Sequence, residues 1–256
     1  MLDSNIKSFD GLIWVLATLV LLQVMQRSLH REIQAILLII TRSPNFTIGI
    51  FSLLFFLGVA LHELSHFVMA KLLWVRTGKF SLLPQVMPDG RLQLGYVEAA
   101  STDIFRDSLI GVAPLISGLL LFAFWFNPQL HLSILWETMR NGQWALFLMA
   151  LQALPTVPDF WLLFFGSFII SSTMMPSDSD RHAWLSLGLV FAFLLGLAIV
   201  AGAGPWMLTN LAPPFNQFLR ETAFILLVSI ILHFVFIVPM LLIHRMLARL
   251  PGLDVG

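Results

Sequence analysis

The sequence predicts an all-α polytopic membrane protein of about six transmembrane helices with one short membrane-associated β hairpin. Three observations predict it. The 256 residues are 58% hydrophobic and 11% charged, with a mean hydropathy of +0.89. A soluble domain carries about 25% charged residues, so polar surface here is too scarce to cover a globule in water, and lipid must solvate much of the chain. Six apolar stretches reach or approach the roughly 20 residues a helix needs to cross a bilayer. The longest polar interval, 77–106, has the alternation of strands and leaves no room for a separate soluble domain.

The six expected spans are 11–26, 46–70, 107–126, 159–176, 184–203 and 222–243. The first is not followed by a small-residue cleavage site and is expected to be retained. Two further apolar runs, 33–40 and 144–154, are too short to span and have polar or proline-marked flanks; they read as separate interfacial or half-membrane helices. Pro155 and Pro158 break what would otherwise be one long span, and Gly202, Gly204 and Pro205 mark the loop after the fifth. Between the second and third spans, Phe80-Ser81-Leu82-Leu83 and Arg91-Leu92-Gln93-Leu94-Gly95-Tyr96-Val97 flank Pro88-Asp89-Gly90. Asp-Gly between alternating runs signals a hairpin. The whole chain, 1–256, reads as a single transmembrane domain.

With the N-terminus inside, the inner side collects nine Lys and Arg, including Lys7, Lys71, Arg76, Lys79, Arg91 and Arg249, against five outside, among them Arg27, Arg31 and Arg42. The positive-inside bias therefore favours that orientation. A formal net charge of zero argues against nucleic acid as a partner, and the absence of cysteine excludes disulfides and thiol catalysis.

The chemistry concentrates in His62-Glu63-Leu64-Ser65-His66. Two histidines four apart project from one face of a helix about a turn apart. That spacing suits two imidazole ligands to one tetrahedral zinc, with Glu63 beside them as the base that takes a proton from activated water. Random order in a chain of this composition produces the pattern in roughly one case in 300. Its placement adds weight, since each charged group inside a membrane helix costs about 2.5–3.5 kcal/mol and marks function by default.

A catalytic zinc site generally uses three protein ligands. The third is sought in Met174-Met175-Pro176-Ser177-Asp178-Ser179-Asp180-Arg181-His182, at the end of the fourth span. Asp180 is favoured, Asp178 and His182 are the alternatives, and Ser-Asp-Ser-Asp before Ala183-Trp184 also reads as a helix cap. His233, inside the sixth span, is expected to be buried and hydrogen-bonded.

These residues resemble the site-2 protease family of intramembrane zinc metalloproteases, over roughly 46–182. Gly58-Val59-Ala60-Leu61-His62-Glu63-Leu64-Ser65-His66 carries the likeness most specifically. The stretch ending Gly95-Tyr96-Val97 is similar to the family's membrane-associated strand, and Gly111-Val112-Ala113-Pro114-Leu115 to the opening of its next helix. The resemblance implies a metalloprotease core with zinc on His62, His66 and Asp180, Glu63 as the catalytic base, and Gly95, Tyr96 and Val97 as a substrate-pairing edge. The family's Asn-x-x-Pro has Thr173 in place of Asn; Ser172 and Thr173 are hydroxyl substitutes for a substrate-holding group. Its ligand position, five residues after the proline, is Arg181 here, with Asp180 one residue earlier.

The expected function is zinc-dependent cleavage of membrane-embedded protein substrates. The expected setting is a multi-pass protein in a prokaryotic plasma membrane, with the active site toward the cytoplasm. A metal or proton transporter, and a catalytically altered family member acting as a membrane chaperone or regulator, are the competing classes.

Overall fold

The computed structural model describes residues 10–86 and 92–249. Lys7, Arg91 and the Pro88-Asp89-Gly90 turn lie outside the described residues. The chain opens with α1 (Asp10–Thr41) and α2 (Pro44–Leu72). The expected separate helix at 33–40 is the continuation of α1: the polar stretch from Arg27 to Glu32 contains neither Gly nor Pro, so nothing breaks the hydrogen-bond ladder. Arg42 in the left-handed region (φ 51°) and Pro44 in the first turn then close a tight helical hairpin. Its arms are antiparallel, with the Thr41 and Thr47 hydroxyls 2.9 Å apart and His30 against Phe51 and Phe55.

The far end of α2 stops in a Schellman arrangement: the Val75 N–H donates to Ala70 O at 2.8 Å and the Trp74 N–H to Lys71 O at 3.1 Å. Trp74 holds the left-handed position at φ 58°, and Val75 packs with Ala70 and Ile110. This turn launches β1 (Thr77–Ser81), β2 (Gln85–Val86), β3 (Leu92–Gln93) and β4 (Tyr96–Ala99). The expected hairpin is present as two antiparallel stretches, β1 with β4 (Phe80 opposite Val97, Ser81 opposite Tyr96) and β2 with β3 (Gln85 opposite Gln93). The second arm is broken at Leu94-Gly95, not continuous from 91 to 97.

Asp103 caps α3 (Ile104–Leu121), accepting from the Phe105 and Arg106 N–H groups; those bonds, with the nearby guanidinium of Arg106, hold its carboxyl below the usual range. A π-helical stretch (Phe122–Phe126) and α4 (Asn127–Leu130) extend this rod. Two short helices follow, α5 (Leu132–Arg140) and α6 (Trp144–Ala153), then α7 (Phe160–Thr173), with a bend of 101° between α6 and α7 at the two prolines. After the 174–183 loop come α8 (Trp184–Val200), α9 (Gly204–Asn210) and α10 (Ala212–Leu247), α8 and α9 meeting at 111°.

Four of these rods are long and apolar enough to cross a membrane (α1, α2, α3 through Leu130, and α10), and the two bent pairs raise the candidates to as many as six. None of the residues of α8 is buried, so its apolar surface faces outward all round. An all-α membrane fold accounts for such faces.

Packing fixes the helix directions. α1 and α10 run parallel: the Gly11 N–H donates to Asn216 Oδ1 at 2.8 Å, Leu22 packs with Leu226 and Ile230, and Glu32 meets His244 at 2.5 Å. α3 is antiparallel to α2, with Ile110 beside Ala70 and Ser117 beside Ser65. α7 lies parallel to α2, with Phe168 against Phe55 and Thr173 beside His62. The core at the centre joins Leu29 and Ile33 of α1, Phe51, Phe55 and Val59 of α2, and Phe168 of α7.

Candidate metal centre

Three ligand-type side chains converge beside this core. His62 and His66 sit one turn apart on α2 with their Nε2 atoms 3.2 Å from each other. The Asp180 carboxylate approaches both, Oδ2 at 3.6 Å from His62 Nε2 and Oδ1 at 3.4 Å from His66 Nε2. All three ligand atoms lie within 4.8 Å of one another, a group that could hold a metal ion.

Helix grammar sets the orientation of both rings. His62 Nδ1 lies 2.6 Å from Thr173 O and His66 Nδ1 2.8 Å from Ile110 O. A carbonyl only accepts, so both Nδ1 atoms carry the proton, and in the neutral rings both Nε2 lone pairs face the centre. Each carbonyl is available for a local reason. Thr173 ends α7, and the last carbonyls of a helix have no intrahelical donor. Ile110 would bond the N–H four residues on, but that residue is Pro114, which has none. A helix end on one side and an internal proline on the other thus supply the acceptors that hold both histidines in one tautomer, as outer partners do for metal-ligating imidazoles in general.

Asp180 is placed by its own loop. Its Oδ2 accepts from the Ser177 N–H at 2.7 Å and the Ser177 hydroxyl at 2.6 Å. The expected Ser-Asp-Ser-Asp cap is not used: α8 begins after Ala183 with no side-chain cap, because Ser177 and Asp180 bond to each other instead. The alternative ligands point elsewhere. Asp178 pairs with Arg181 and, at 3.3 Å, with Arg27, while His182 stands 3.6 Å from Asp107. Arg181, at the family's ligand register, also bonds Ser177 O and Gln23.

The cluster opens on a cavity of about 910 Å³. Glu63 lines it, buried, and makes no hydrogen bond among the described residues. Gly95, Tyr96 and Val97 line it from the hairpin; a Cβ at Gly95 would stand 2.9 Å from Glu63 Cγ, so only glycine lets the strand come this near the glutamate. Ser172 and Thr173 also line it, but their hydroxyls are committed inside the protein. The Ser172 hydroxyl bonds His233 at 3.1 Å, and that of Thr173 donates to Ile169 O at 3.1 Å. The Thr173 hydroxyl bonds back to its own helix, as hydroxyls do where no better partner stands near, and in this arrangement neither hydroxyl offers its proton to the cavity.

One wall of the cavity was not read from the sequence. Gln23, Gln26, Arg27 and His30 of α1 face it. Their spacing of three, four and seven puts them on one face of an otherwise apolar helix, a signal present in the sequence itself. His233 is buried and hydrogen-bonded, as expected, with no exposed surface. No protein-family model, curated protein or solved structure matches this chain.

Proposed function

We propose that the chain is an intramembrane zinc metalloprotease, similar to the site-2 protease family, that hydrolyses peptide bonds of membrane-embedded substrates. One observation carries the reading: His62 Nε2, His66 Nε2 and the Asp180 carboxylate converge on one point while both Nδ1 atoms are taken up by backbone carbonyls. Leaving a buried polar group unsatisfied costs about 1–3 kcal/mol. A zinc ion bound by such ligands contributes on the order of 10 kcal/mol, so a cation outweighs the cost of assembling them. His62, His66 and Asp180 would hold the ion, and three protein ligands are the number that catalytic zinc generally takes, which would leave it a place for water.

Bound zinc would supply an acidified water, with pKa around 7, and a polarised scissile carbonyl. Glu63 faces the same cavity from the turn between the two histidines. Its carboxylate takes the proton of the attacking water and returns it to the leaving amine nitrogen. Among the described residues β4 pairs with β1 along one edge, and Tyr96 and Val97 line the cavity. Its second edge can pair an extended substrate segment. A helical substrate must first unwind, because its amides are bonded internally.

The parallel course of α1 and α10 further implies an odd number of crossings between chain ends. We assign five: α1, α2, the α3 rod, the bent α6–α7 pair and α10, with α8–α9 returning to the side it left. Among the described Lys and Arg at helix ends and in loops, the hairpin side then carries Lys71, Arg76, Lys79, Arg106, Arg181 and Arg220, against Arg42, Arg140, Arg245 and Arg249 opposite, while Arg27 and Arg31 stand within the length of α1. The excess assigns the hairpin side to the cytoplasm.

The Glu63→Gln variant tests the mechanism in proteoliposomes holding a membrane-embedded test substrate. Cleavage should vanish while stoichiometric zinc remains. Unchanged proteolysis would remove Glu63 from its role, and a wild type without metal would remove the enzyme reading.

A further inference from the structure

The carbonyl that orients His62 belongs to the last residue of α7. A helix end is the least restrained part of a helix, because its last carbonyls lack intrahelical partners. Here that turn is gripped from two other helices, both outside residues 46–182. From α1, the Gln26 side-chain amide donates to Ser172 O. From α10 comes His233, whose Nδ1–H donates to Ser229 O at 2.8 Å. That bond leaves Nε2 as an acceptor, and the Ser172 hydroxyl donates to it at 3.1 Å. His233 is locked in one tautomer by its own helix, and Ser172 in one rotamer by His233.

We infer that Gln26, Ser172 and His233 are positioning residues for the candidate metal centre. They hold the last turn of α7 so that Thr173 O keeps the Nδ1 proton of His62 and its Nε2 stays aimed at His66 and Asp180. The inference rests on the metal reading of that cluster. Neighbouring interior positions show what packing alone would select: Leu22 and Leu29 on α1 and Leu226 on α10 have no exposed surface. An imidazole in a membrane helix is expensive, and a leucine would fill space as well. What the polar residues add is direction, since each bond fixes an angle that apolar contact leaves loose.

The test measures zinc affinity of the detergent-solubilised full chain by chelator competition, together with the visible spectrum of the Co²⁺-substituted protein. Gln26→Met and His233→Phe should weaken zinc at least about tenfold and shift the cobalt bands. His233→Gln, whose amide oxygen can still accept the Ser172 hydroxyl, should restore both readouts toward wild type. Thr18→Val controls for general loosening of α1, because among the described residues that buried hydroxyl bonds Trp14 O and Val15 O of its own helix and nothing else. If His233→Phe does not fold, Gln26→Met, at the cavity wall, decides alone. Unchanged affinity and spectrum in Gln26→Met and any folded His233→Phe, or equal losses in Thr18→Val, overturn the positioning role. A wild type that binds neither metal overturns the metal reading and this inference with it.

Discussion

At the scale of single residues, proton positions distinguish this cluster from an ordinary buried polar group. Two histidines and an aspartate usually meet by sharing a proton, yet here both Nδ1 protons are drawn outward to Thr173 O and Ile110 O. The atoms left at the centre could hold a cation. Asp180 and Asp178, two residues apart, then differ sharply. Asp180 meets both histidines, whereas Asp178 is 66% exposed in a shared ion pair with Arg27 and Arg181. Exposed ion pairs contribute only about 0.2–1 kcal/mol. Asp180→Ala should therefore lose zinc by more than the roughly 10–100-fold that removal of an outer hydrogen-bond partner costs, and Asp178→Ala should keep it. Metal content by mass spectrometry separates the two; retention in Asp180→Ala would displace it from the centre.

At the scale of elements, the site is made of interruptions in helices. Pro114 frees a carbonyl inside α3, and α7 ends where His62 needs an acceptor. At Gly111 the loop carrying Asp180 presses against α3, so that an added Cβ would overlap the Asp180 carbonyl oxygen. Helix propensity alone favours Gly→Ala by about 1 kcal/mol. Packing predicts the opposite sign, because the clashing atom is backbone and cannot rotate away. Gly111→Ala should lower the thermal midpoint and weaken zinc at least about tenfold. A stabilised variant with wild-type affinity would show that the loop can shift without disturbing the ligands.

At the scale of the whole molecule, two polar clasps pin the parallel pair α1 and α10, Asp10 with Arg220 at 2.5 Å and Glu32 with His244 at 2.5 Å. Apolar contact in lipid is poorly directional, and such clasps fix which ends meet. The chain contains no cysteine, so single cysteines can report sidedness without background. Trp74→Cys, at the end of α2, and Met246→Cys, at the end of α10, are both well exposed in the fold. Under five crossings an impermeant thiol reagent labels them from opposite faces of a sealed vesicle. Labelling from the same face would restore six alternating spans.

What the sequence by itself determined is whatever depends on neighbours along the chain. Lipid solvation followed from scarce charge, the hairpin from alternation around Asp-Gly, and the His62-Glu63-His66 face from a spacing of four on a helix. Ser172 and Thr173 were legible as polar but not in their use, since a hydroxyl's partner is chosen by what packs against it. The tertiary structure alone decided that Asp180 and not Asp178 faces the histidines, that Gln26 and His30 of α1 wall the cavity, and that the first and last helices run parallel. Each depends on contacts between residues far apart in sequence, where an apolar helix carries little record of its partner because lipid and leucine are alike to it.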